Sequence, residues 1–425
     1  MTHPAEHRTT RRGFLRYLAG SPVLAGVGMY RWPIGGSSAG RSDDEIVAEM
    51  AQFVSEQGRV VYSPDQAVSI FDFEATARTN VPPSHFAYMA TGVDGEATLR
   101  ANREAIARVQ LRARHLVDVS EIDMSTEIFG RRWETPIVIQ PCGSQKAFHP
   151  EGEVAVARAA RARGHLQTLS TVTTSSVEEV NEARGEPVWY QLYPTDQWAV
   201  TDAILRRVEA AGCPVVMLTV DHPVGGNRET SVRGSRDDPR DCSLCHVPPA
   251  EGVSGHVRRK PMFDGLDLED VSSLNNSSAT WEFVDRIKDT VGMRLVVKGV
   301  VTREDAELCV EHGVDGIVVS NHGGRNEPTA RGTIESLPEV VDAVAGRVPV
   351  IVDGGFRRGA DMLRALALGA DAVGIGRPYL WGLGAFGEAG VDAVLHMLSA
   401  ELSRSMALVG APSLKVLNRS FVAGI

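Results

Sequence analysis

The chain has 425 residues, a formal charge of -10 at pH 7 and a pI near 5.7. This acidic balance argues against a nucleic-acid partner, because nucleic-acid binding needs a basic surface, and it favours a small polar substrate. The length accommodates one large α/β barrel. Five cysteines, an odd and mostly scattered set, do not predict a disulfide framework.

Residues 1–40 are predicted to be an export signal and linker. Arg11 and Arg12 precede a weakly apolar stretch over residues 17–30 and a Gly/Ser-rich stretch that ends near Ala39. This order is typical of twin-arginine signals, whose cargo crosses the membrane already folded. An ordinary basic tail is the alternative. We expect export through the twin-arginine route, to the periplasm or the outer face of the cytoplasmic membrane, with residues 41–425 as the folded body.

Two helices are predicted before the main repeat, at Asp43–Gln57 and Glu96–Arg108, with Val81–Gly95 as a connection. From Pro136 on, short β-branched apolar runs alternate with loops and Ala-rich amphipathic segments. The predicted strands are Ile137–Gln140, Leu166–Leu169, Val188–Leu192, Val215–Val220, Leu295–Val297, Gly316–Val319, Val350–Val352 and Ala372–Ile375. The predicted helices between or after them are Glu151–Arg163, Ser176–Ala183, Ala199–Ala211, Ala279–Thr290, Arg303–His312, Ile334–Val344 and Gly359–Leu368.

Eight strands alternating with helices predict an α/β fold, a closed (β/α)8 TIM barrel with an N-terminal helical extension. An open doubly wound sheet is the alternative. No Gly-x-Gly-x-x-Gly follows the first predicted strand to favour a dinucleotide-binding fold. The predicted barrel topology therefore indicates where along the chain the functional residues should lie.

Working residues of such barrels lie at the C-terminal ends of the strands. A histidine there can exchange a proton near neutral pH, and an arginine offers a planar fork of donors to a carboxylate or phosphate. Glycines and arginines after the last two strands match the usual phosphate position. The residues at these ends are Pro141, Cys142, Gly143, Ser170, Gln191, Tyr193, Thr219, Asp221, Lys298, His322, Arg325, Asp353, Gly354, Gly355, Arg357, Gly376 and Arg377.

From about Ile46 to its C-terminus the chain resembles the FMN-dependent 2-hydroxy-acid oxidases and dehydrogenases. This family includes glycolate and lactate oxidases, lactate monooxygenase, mandelate dehydrogenase and the flavocytochrome lactate dehydrogenases. The motifs that carry the resemblance are Gln145-Lys146, His149 to Glu153, Thr168 to Ser170, Gln191 to Tyr193, Leu218 to Asp221, Val297 to Val300, Ser320 to Arg325, Asp353 to Gly359 and Gly376 to Pro378.

The resemblance implies an FMN site and a substrate site. It places the flavin ring against Pro141, Cys142 and Gly143, with Ser170, Gln191, Thr219, Lys298 and Ser320 around it, and the phosphate and ribityl chain near Asp353, Gly354, Gly355, Arg357, Gly376 and Arg377. It assigns the substrate carboxylate to Arg325 and Arg228, with Tyr88 closing the far side of the pocket. The hydroxyl is assigned to Tyr193, with His322 as base, Asp221 as its partner and Lys298 stabilising the reduced flavin. The family also implies a homotetramer.

Three positions depart from the glycolate oxidase pattern. Gly143 stands where many relatives have alanine, Val172 replaces a large aromatic residue, and Gly225 also removes bulk. A substrate larger than glycolate is therefore expected.

A long active-site loop is predicted at residues 221–278, and it contains the motif Cys242-Ser243-Leu244-Cys245-His246. The C-x-x-C-H spacing is used for covalent attachment of haem c, with the histidine as iron ligand. A disulfide between Cys242 and Cys245, a metal site sharing His246 and a chance spacing are the alternatives. A haem would favour a dehydrogenase over an oxygen-using oxidase.

The sequence thus predicts an exported enzyme that oxidises a lactate- or mandelate-like L-2-hydroxy acid to the 2-oxo acid. Electrons would pass from reduced FMN to a cytochrome, a quinone or oxygen. An FMN barrel acting on a peptide or prenyl substrate and a non-catalytic exported flavoprotein are the alternatives.

Overall fold

The structure is a computed structural model that describes residues 58–238 and 252–424. The signal, the predicted helix at Asp43–Gln57 and the motif Cys242 to His246 lie outside these residues. The described part begins with helices α1 (Ile70–Asn80), α2 (Pro83–Ala90) and α3 (Ala97–Arg108).

The helices before the barrel differ from the sequence prediction at two places. Helix α1 was not predicted, although Ser69 and Asp72 form a capping box at its start. The prediction of Val81–Gly95 as a connection was wrong, because α2 fills most of it. Its Pro82-Pro83 pair resembles a helix breaker, but proline is well tolerated at the first position of a helix, where no backbone N–H donor is required.

Eight parallel strands close into a barrel in chain order, so the predicted fold class is confirmed. The barrel strands are β4 (Ile137–Ile139), β5 (Leu166–Ser170), β6 (Trp189–Leu192), β7 (Val215–Thr219), β8 (Arg294–Val300), β9 (Gly316–Val319), β10 (Val350–Val352) and β11 (Ala372–Ile375). Outside the barrel, β2 (Thr126–Ile128) pairs with β3 (Arg131–Trp133), and β1 (Gln110–Leu111) pairs with β12 (Val422–Ala423).

Helices surround the strands; the bounds of seven of them follow the predicted ones closely, whereas the helices at Glu229–Arg236, Gly252–Val257 and Arg377–Val409 were not predicted. The surrounding helices are α4 (Gly152–Arg163), α5 (Val177–Arg184), α6 (Trp198–Ala210), α7 (Glu229–Arg236), α8 (Gly252–Val257), α9 (Trp281–Thr290), α10 (Arg303–Glu311), α11 (Thr333–Val344), α12 (Gly359–Ala367) and α13 (Arg377–Val409). Helix α13 has non-helical backbone angles at Phe386 and Gly387. Short 3-10 helices lie at Pro64–Gln66, Gln145–Ala147, Pro261–Phe263, Leu414–Val416 and Arg419–Phe421.

One end of the barrel is closed by apolar packing. Ile128 and Trp133 of the β2–β3 hairpin pack with Leu166, Trp189 and Val215, which stand at or near the starts of their strands. Burial of this cluster stabilises the barrel and fills its N-terminal end. The opposite end, where the strands finish, is left for polar residues.

The long segment 221–278 is not structureless. It contains α7 and α8. After α8, the buried ammonium of Lys260 donates to Ser144 Oγ at 2.6 Å. This bond ties the segment to the loop after β4. Across residues 58–238 and 252–424, none of the helices has both the length and the hydrophobicity needed to cross a bilayer.

Candidate functional site

The turn after β9 holds a histidine in an uncommon backbone conformation. His322, Gly323 and Gly324 have φ angles of 56°, 64° and 75°. A side chain on Gly324 would place its Cβ 2.5 Å from the Leu99 backbone, so this position requires glycine. The His322 N–H donates to Ser320 Oγ at 3.1 Å. The contact with Leu99 and the hydrogen bond to Ser320 therefore fix the turn, and the imidazole lies in the mouth of the barrel.

The His322 ring is held between a carboxylate and a phenol. Its Nδ1 lies 2.7 Å from Asp221 Oδ1, and its Nε2 lies 3.1 Å from the Tyr193 hydroxyl. Burial lowers the pKa of His322 below its usual range, although the Asp221 charge opposes this shift. Burial would raise the pKa of Asp221, but the charges of His322 and Lys298 outweigh it and lower that pKa. The resting pair is a neutral imidazole beside an ionised carboxylate, with Nε2 open to accept a proton.

Lys298 lies at an irregularity of β8, not after the strand as predicted. The register of β8 against β9 shifts between Lys298 and Val300. Lys298 Nζ donates to Ser320 Oγ at 3.0 Å and lies 3.6 Å from Asp221 Oδ2 and 3.9 Å from Asp353 Oδ2. Burial lowers the pKa of Lys298, but the two carboxylates outweigh it and hold the pKa above its usual value. The lysine is thus a buried, permanent cation.

Two arginines lie beside this group. The guanidinium carbon of Arg325 lies 4.8 Å from the centre of the Tyr88 ring, and its Nη1 donates to the Tyr88 carbonyl oxygen at 2.6 Å. Arg228 Nη2 donates to Asn326 Oδ1 at 2.7 Å. Burial and the charge of Arg228 lower the pKa of Arg325, which still stays well above neutrality. Two cations held near one another favour an anion between them.

A second group of cations lies after β10 and β11. Arg377 donates to the carbonyl oxygens of Met89, Thr91 and Gly323 at 2.9 to 3.0 Å. Burial and then the charge of Arg357 lower the pKa of Arg377 to about 10.

The backbone beside these arginines is shaped for a close approach. Gly354 and Gly355 have φ angles of 105° and 89°, conformations that an L side chain rarely adopts. A Cβ on Gly355 would lie 2.9 Å from Asn102 Cβ. The two glycines let this backbone pack tightly against Asn102, and they line the cavity beside the Arg357 and Arg377 side chains, as a phosphate site requires.

These residues surround one cavity of about 370 Å³. The predicted site residues that line it are Tyr88, Pro141, Cys142, Gly143, Ser170, Tyr193, Arg228, Lys298, His322, Arg325, Asp353, Gly354, Gly355, Arg357, Gly376 and Arg377. Four predicted residues do not line it, namely Gln191, Thr219, Asp221 and Ser320. Asp221 and Ser320 lie behind it, bonded to His322 and Lys298. Among the described residues, Gln191 Nε2 and Thr219 Oγ1 are buried without a hydrogen-bond partner.

Of the three positions expected to enlarge the pocket, Gly143 and Val172 line the cavity and Gly225 does not. Val172 occupies the space beside Gly143, where an added Cβ would lie 2.4 Å from its Cγ2. The extra room at Gly143 is therefore partly filled by Val172. A Cβ added to Gly225 would have no other atom within 4 Å.

Some lining residues were not foreseen. His222 and Asn275 line the cavity, and so do His85 and His256. His222 directly follows Asp221, so reading one residue further past the strand would have found it. Asn275 lies in a loop with no periodic pattern, and no sequence signal points to it.

Comparison with known proteins gives consistent matches. A family model described as FMN-dependent dehydrogenase matches residues 77–424. Glycolate oxidase of Spinacia oleracea is 40% identical over 370 residues, which cover 84% of this chain and 96% of the relative. L-lactate oxidase of Nostoc sp. is 39% identical over 359 residues, which cover 84% and 98%. A crystal structure of mandelate oxidase with (S)-2-phenylpropionate is 37% identical, with a TM-score of 0.71 and coverage of 84% and 98%.

Proposed function

The chain belongs to the FMN-dependent dehydrogenase family, and we propose that it oxidises an L-2-hydroxy acid of lactate or mandelate type to the 2-oxo acid. It is an enzyme of the FMN-dependent 2-hydroxy-acid oxidase kind, as its relatives are. The observation that carries the proposal is the neutral His322 imidazole, held by Asp221 and facing Tyr193, with Arg325 and Arg228 beside it.

The cavity fits FMN. Gln140 lines the cavity, and its buried Nε2 and Oε1 atoms lack protein partners, which the carbonyl oxygens and N–H group of a flavin ring would supply. Lys298 would hold its charge against the ring, and Arg357 and Arg377 with the Gly354–Gly355 backbone would hold the phosphate. Ser170, whose hydroxyl donates to Gln191 Oε1 at 3.0 Å, and Ser320 would support this set. FMN, when bound, accepts the two electrons that leave the substrate.

His322 would serve as the base. Its Nδ1–H donates to Asp221, which leaves the Nε2 lone pair directed at the Tyr193 hydroxyl. Burial first, and then the Asp221 charge, raise the pKa of Tyr193, so the phenol stays protonated and acts as a donor. A substrate hydroxyl that replaces the Tyr193 hydroxyl as the partner of Nε2 would give up a proton to the imidazole, and Asp221 would stabilise the imidazolium.

Arg325 and Arg228 would bind the substrate carboxylate. Both line the cavity, and Tyr88, whose ring lies under the Arg325 guanidinium, would cover this end. A carboxylate held by two arginines is fixed in orientation, so the C2 carbon faces the base in every productive encounter. Removal of either arginine should therefore raise KM and lower the rate of the chemical step.

The proposal is tested by anaerobic bleaching of the bound flavin. A panel of 2-hydroxy acids, from glycolate through lactate to mandelate, is mixed with the loaded protein, and the loss of flavin absorbance is followed. His322→Gln keeps a side chain of similar size and hydrogen-bonding capacity but removes the base, and it should bind flavin and resist bleaching. Failure of every acid to bleach the wild type would refute the proposal and leave two alternatives, an enzyme acting on a peptide or prenyl substrate and a non-catalytic flavoprotein.

The acceptor is proposed to be a cytochrome or quinone, with oxygen as the competing oxidant. Reoxidation of the bleached protein by each of the three, compared at equal concentration, decides among them. The motif Cys242 to His246 enters the same proposal as a covalent haem c site. Covalent haem would be detected by its visible absorption bands and by the mass of the protein, made in a host that can attach haem. A mass lower by two hydrogens would instead indicate the Cys242–Cys245 disulfide.

Export and assembly complete the proposal. The folded body would reach the periplasm or the outer face of the cytoplasmic membrane through the twin-arginine route, and it would assemble as a homotetramer. Replacing Arg11 and Arg12 by lysine should retain the protein in the cytoplasmic fraction. Light scattering on the purified protein should give four times the mass of the mature chain.

A further inference from the structure

The two arginines proposed to hold the substrate carboxylate are carried by different parts of the fold. Arg325 belongs to the turn after β9, and its Nη1 donates to the carbonyl oxygens of Tyr88 and Thr91 at 2.6 and 3.2 Å. The barrel turn and the end of α2 therefore hold Arg325 between them. Arg228 lies in the long segment after β7, directly before α7, and residues 223–225 of that segment are exposed. Its side chain is held from another part of the chain.

Asn326 is the nearest described partner of the Arg228 guanidinium. Arg228 Nη2 donates to Asn326 Oδ1 at 2.7 Å, and Arg228 Nε donates to the Arg325 carbonyl oxygen at 3.4 Å. Arg228 Nη2 also lies 3.5 Å from His222 Nε2. Because a guanidinium has only donors, the Asn326 amide presents its oxygen to it. The shortest bond of Arg228 thus comes from the turn that carries Arg325.

The segment that carries Arg228 also lies directly on this turn. A Cβ on Gly226 would be 2.7 Å from the Arg325 carbonyl oxygen and 3.3 Å from Asn326 Oδ1, so glycine permits the close contact. Asn326 is partly buried, and among the described residues its buried Nδ2 has no hydrogen-bond partner. Burial of an amide with an unmet donor is unfavourable. The bond from Arg228 offsets part of this cost.

We propose that Asn326 is a positioning residue, which holds the Arg228 guanidinium against the turn after β9 and so fixes the second cation of the carboxylate site. This inference rests on the proposed function and adds a residue to its substrate site. Asn326 does not line the cavity, so it would act on the substrate only through Arg228. The Asn326 amide is uncharged, so it holds the guanidinium without neutralising the charge that attracts the carboxylate.

The test measures carboxylate binding in variants of Asn326. The 2-oxo acid product of the acid that bleaches the flavin fastest, which is glyoxylate, pyruvate or benzoylformate, is titrated against the oxidised holoenzyme, and its Kd is read from the flavin spectrum. In Asn326→Ala we expect this Kd and the KM of the acid to rise about tenfold, because a hydrogen bond to a charged group is lost. Asn326→Gln, which still offers an amide oxygen, should recover part of the affinity. The control is Asn227→Ala, since Asn227 precedes Arg228 but donates to Asp94 at the surface, and it should keep the wild-type Kd.

A double-mutant cycle separates the positioning of Arg228 from a general structural role. Once Arg228→Met has removed the guanidinium, Asn326→Ala should raise the Kd no further, because its effect passes through Arg228. A structural role would instead add a second loss in the Arg228→Met background. Flavin content and Tm show whether each variant keeps its fold. Asn326→Ser, whose hydroxyl is too short to reach the guanidinium, has the same expected outcome and replaces Asn326→Ala if that variant does not fold.

The outcomes are distinct. A wild-type Kd in Asn326→Ala or Asn326→Ser would overturn the inference and leave the proposed function intact. Additive losses in the double variant would overturn it as well, since Asn326 would then act on the site independently of Arg228. If no acid bleaches the flavin of the wild type, the proposed function itself fails, and this inference fails with it.

Discussion

Replacing Asp221 by asparagine should slow the chemical step while leaving the cofactor site in place. Asp221 does not line the cavity, but its Oδ1 lies 2.7 Å from His322 Nδ1. The charge centres of the two groups are then about 4 Å apart, and two unit charges at that distance attract by about 4 kcal/mol at an effective dielectric constant of about 20. That attraction stabilises the imidazolium that forms when His322 accepts a proton. Its loss corresponds to about 10³-fold in rate.

The assay is anaerobic stopped-flow reduction of the flavin under single-turnover conditions. It isolates the chemical step from reoxidation and product release. Flavin content is measured in parallel, because Lys298 loses one of its two carboxylate neighbours in the variant and keeps Asp353 and Ser320. A matched control is Asp285→Asn, since Asp285 also pairs with a histidine, His312, at 2.9 Å on the outer surface.

We expect Asp221→Asn to reduce flavin about 10³-fold more slowly, and Asp285→Asn to match the wild type. A variant that retains flavin and reduces it within fivefold of the wild-type rate would refute the reasoning. His322 would then not become charged in the rate-limiting step. A variant that loses its flavin would instead show that Asp221 acts mainly through Lys298.

Three further predictions concern the cofactor and the fold. Arg377→Met should weaken FMN binding about 10- to 100-fold, because a charge-assisted hydrogen bond to phosphate is lost, and fluorescence of released flavin measures this. Burial lowers the pKa of Lys260 to about 8, whereas unfolded lysine keeps about 10.4. The unfolded state therefore binds more protons between these values, and wild-type stability should rise with pH there by up to about 3 kcal/mol. Lys260→Met should lack this rise in urea titrations. Gly324→Ala should lower the free energy of unfolding by about 2 kcal/mol more than Gly130→Ala, since both have φ of 75° but only Gly324 abuts Leu99. Equal losses would show that φ alone decides.

The barrel could be predicted because each strand is a short β-branched run and each helix an amphipathic one. The residues at the strand ends followed from that topology, and His322 and Asp353 lie where it places them, whereas Lys298 lies within β8. Helix α2 was missed because its local signal, a proline pair, is typical of both a helix start and a break.

The polar wall of the pocket was missed for another reason. Asn275 reaches His222 from a loop 53 positions away in sequence. Such a contact depends on how the long segment 221–278 folds back over the barrel, and neither periodicity nor spacing specifies that path. The catalytic group could be inferred because it belongs to the scaffold, whereas the surroundings of the substrate side chain belong to the loop.

Lys298 connects the proposed proton acceptor with the cofactor end of the cavity. It lies 3.6 Å from Asp221 and 3.9 Å from Asp353, so its charge is shared between the two carboxylates. When His322 accepts a proton, the positive imidazolium neutralises much of the negative charge of Asp221. The positive charge of Lys298 is then less well balanced by its carboxylate neighbours. The lysine can then stabilise negative charge that develops in the cavity during the same reaction. Proton uptake by the base and charge stabilisation by the lysine are therefore coupled through Asp221. On this argument Asp221→Asn and Lys298→Met together should cost less in the rate of flavin reduction than the product of their separate effects, which a double-mutant cycle measures.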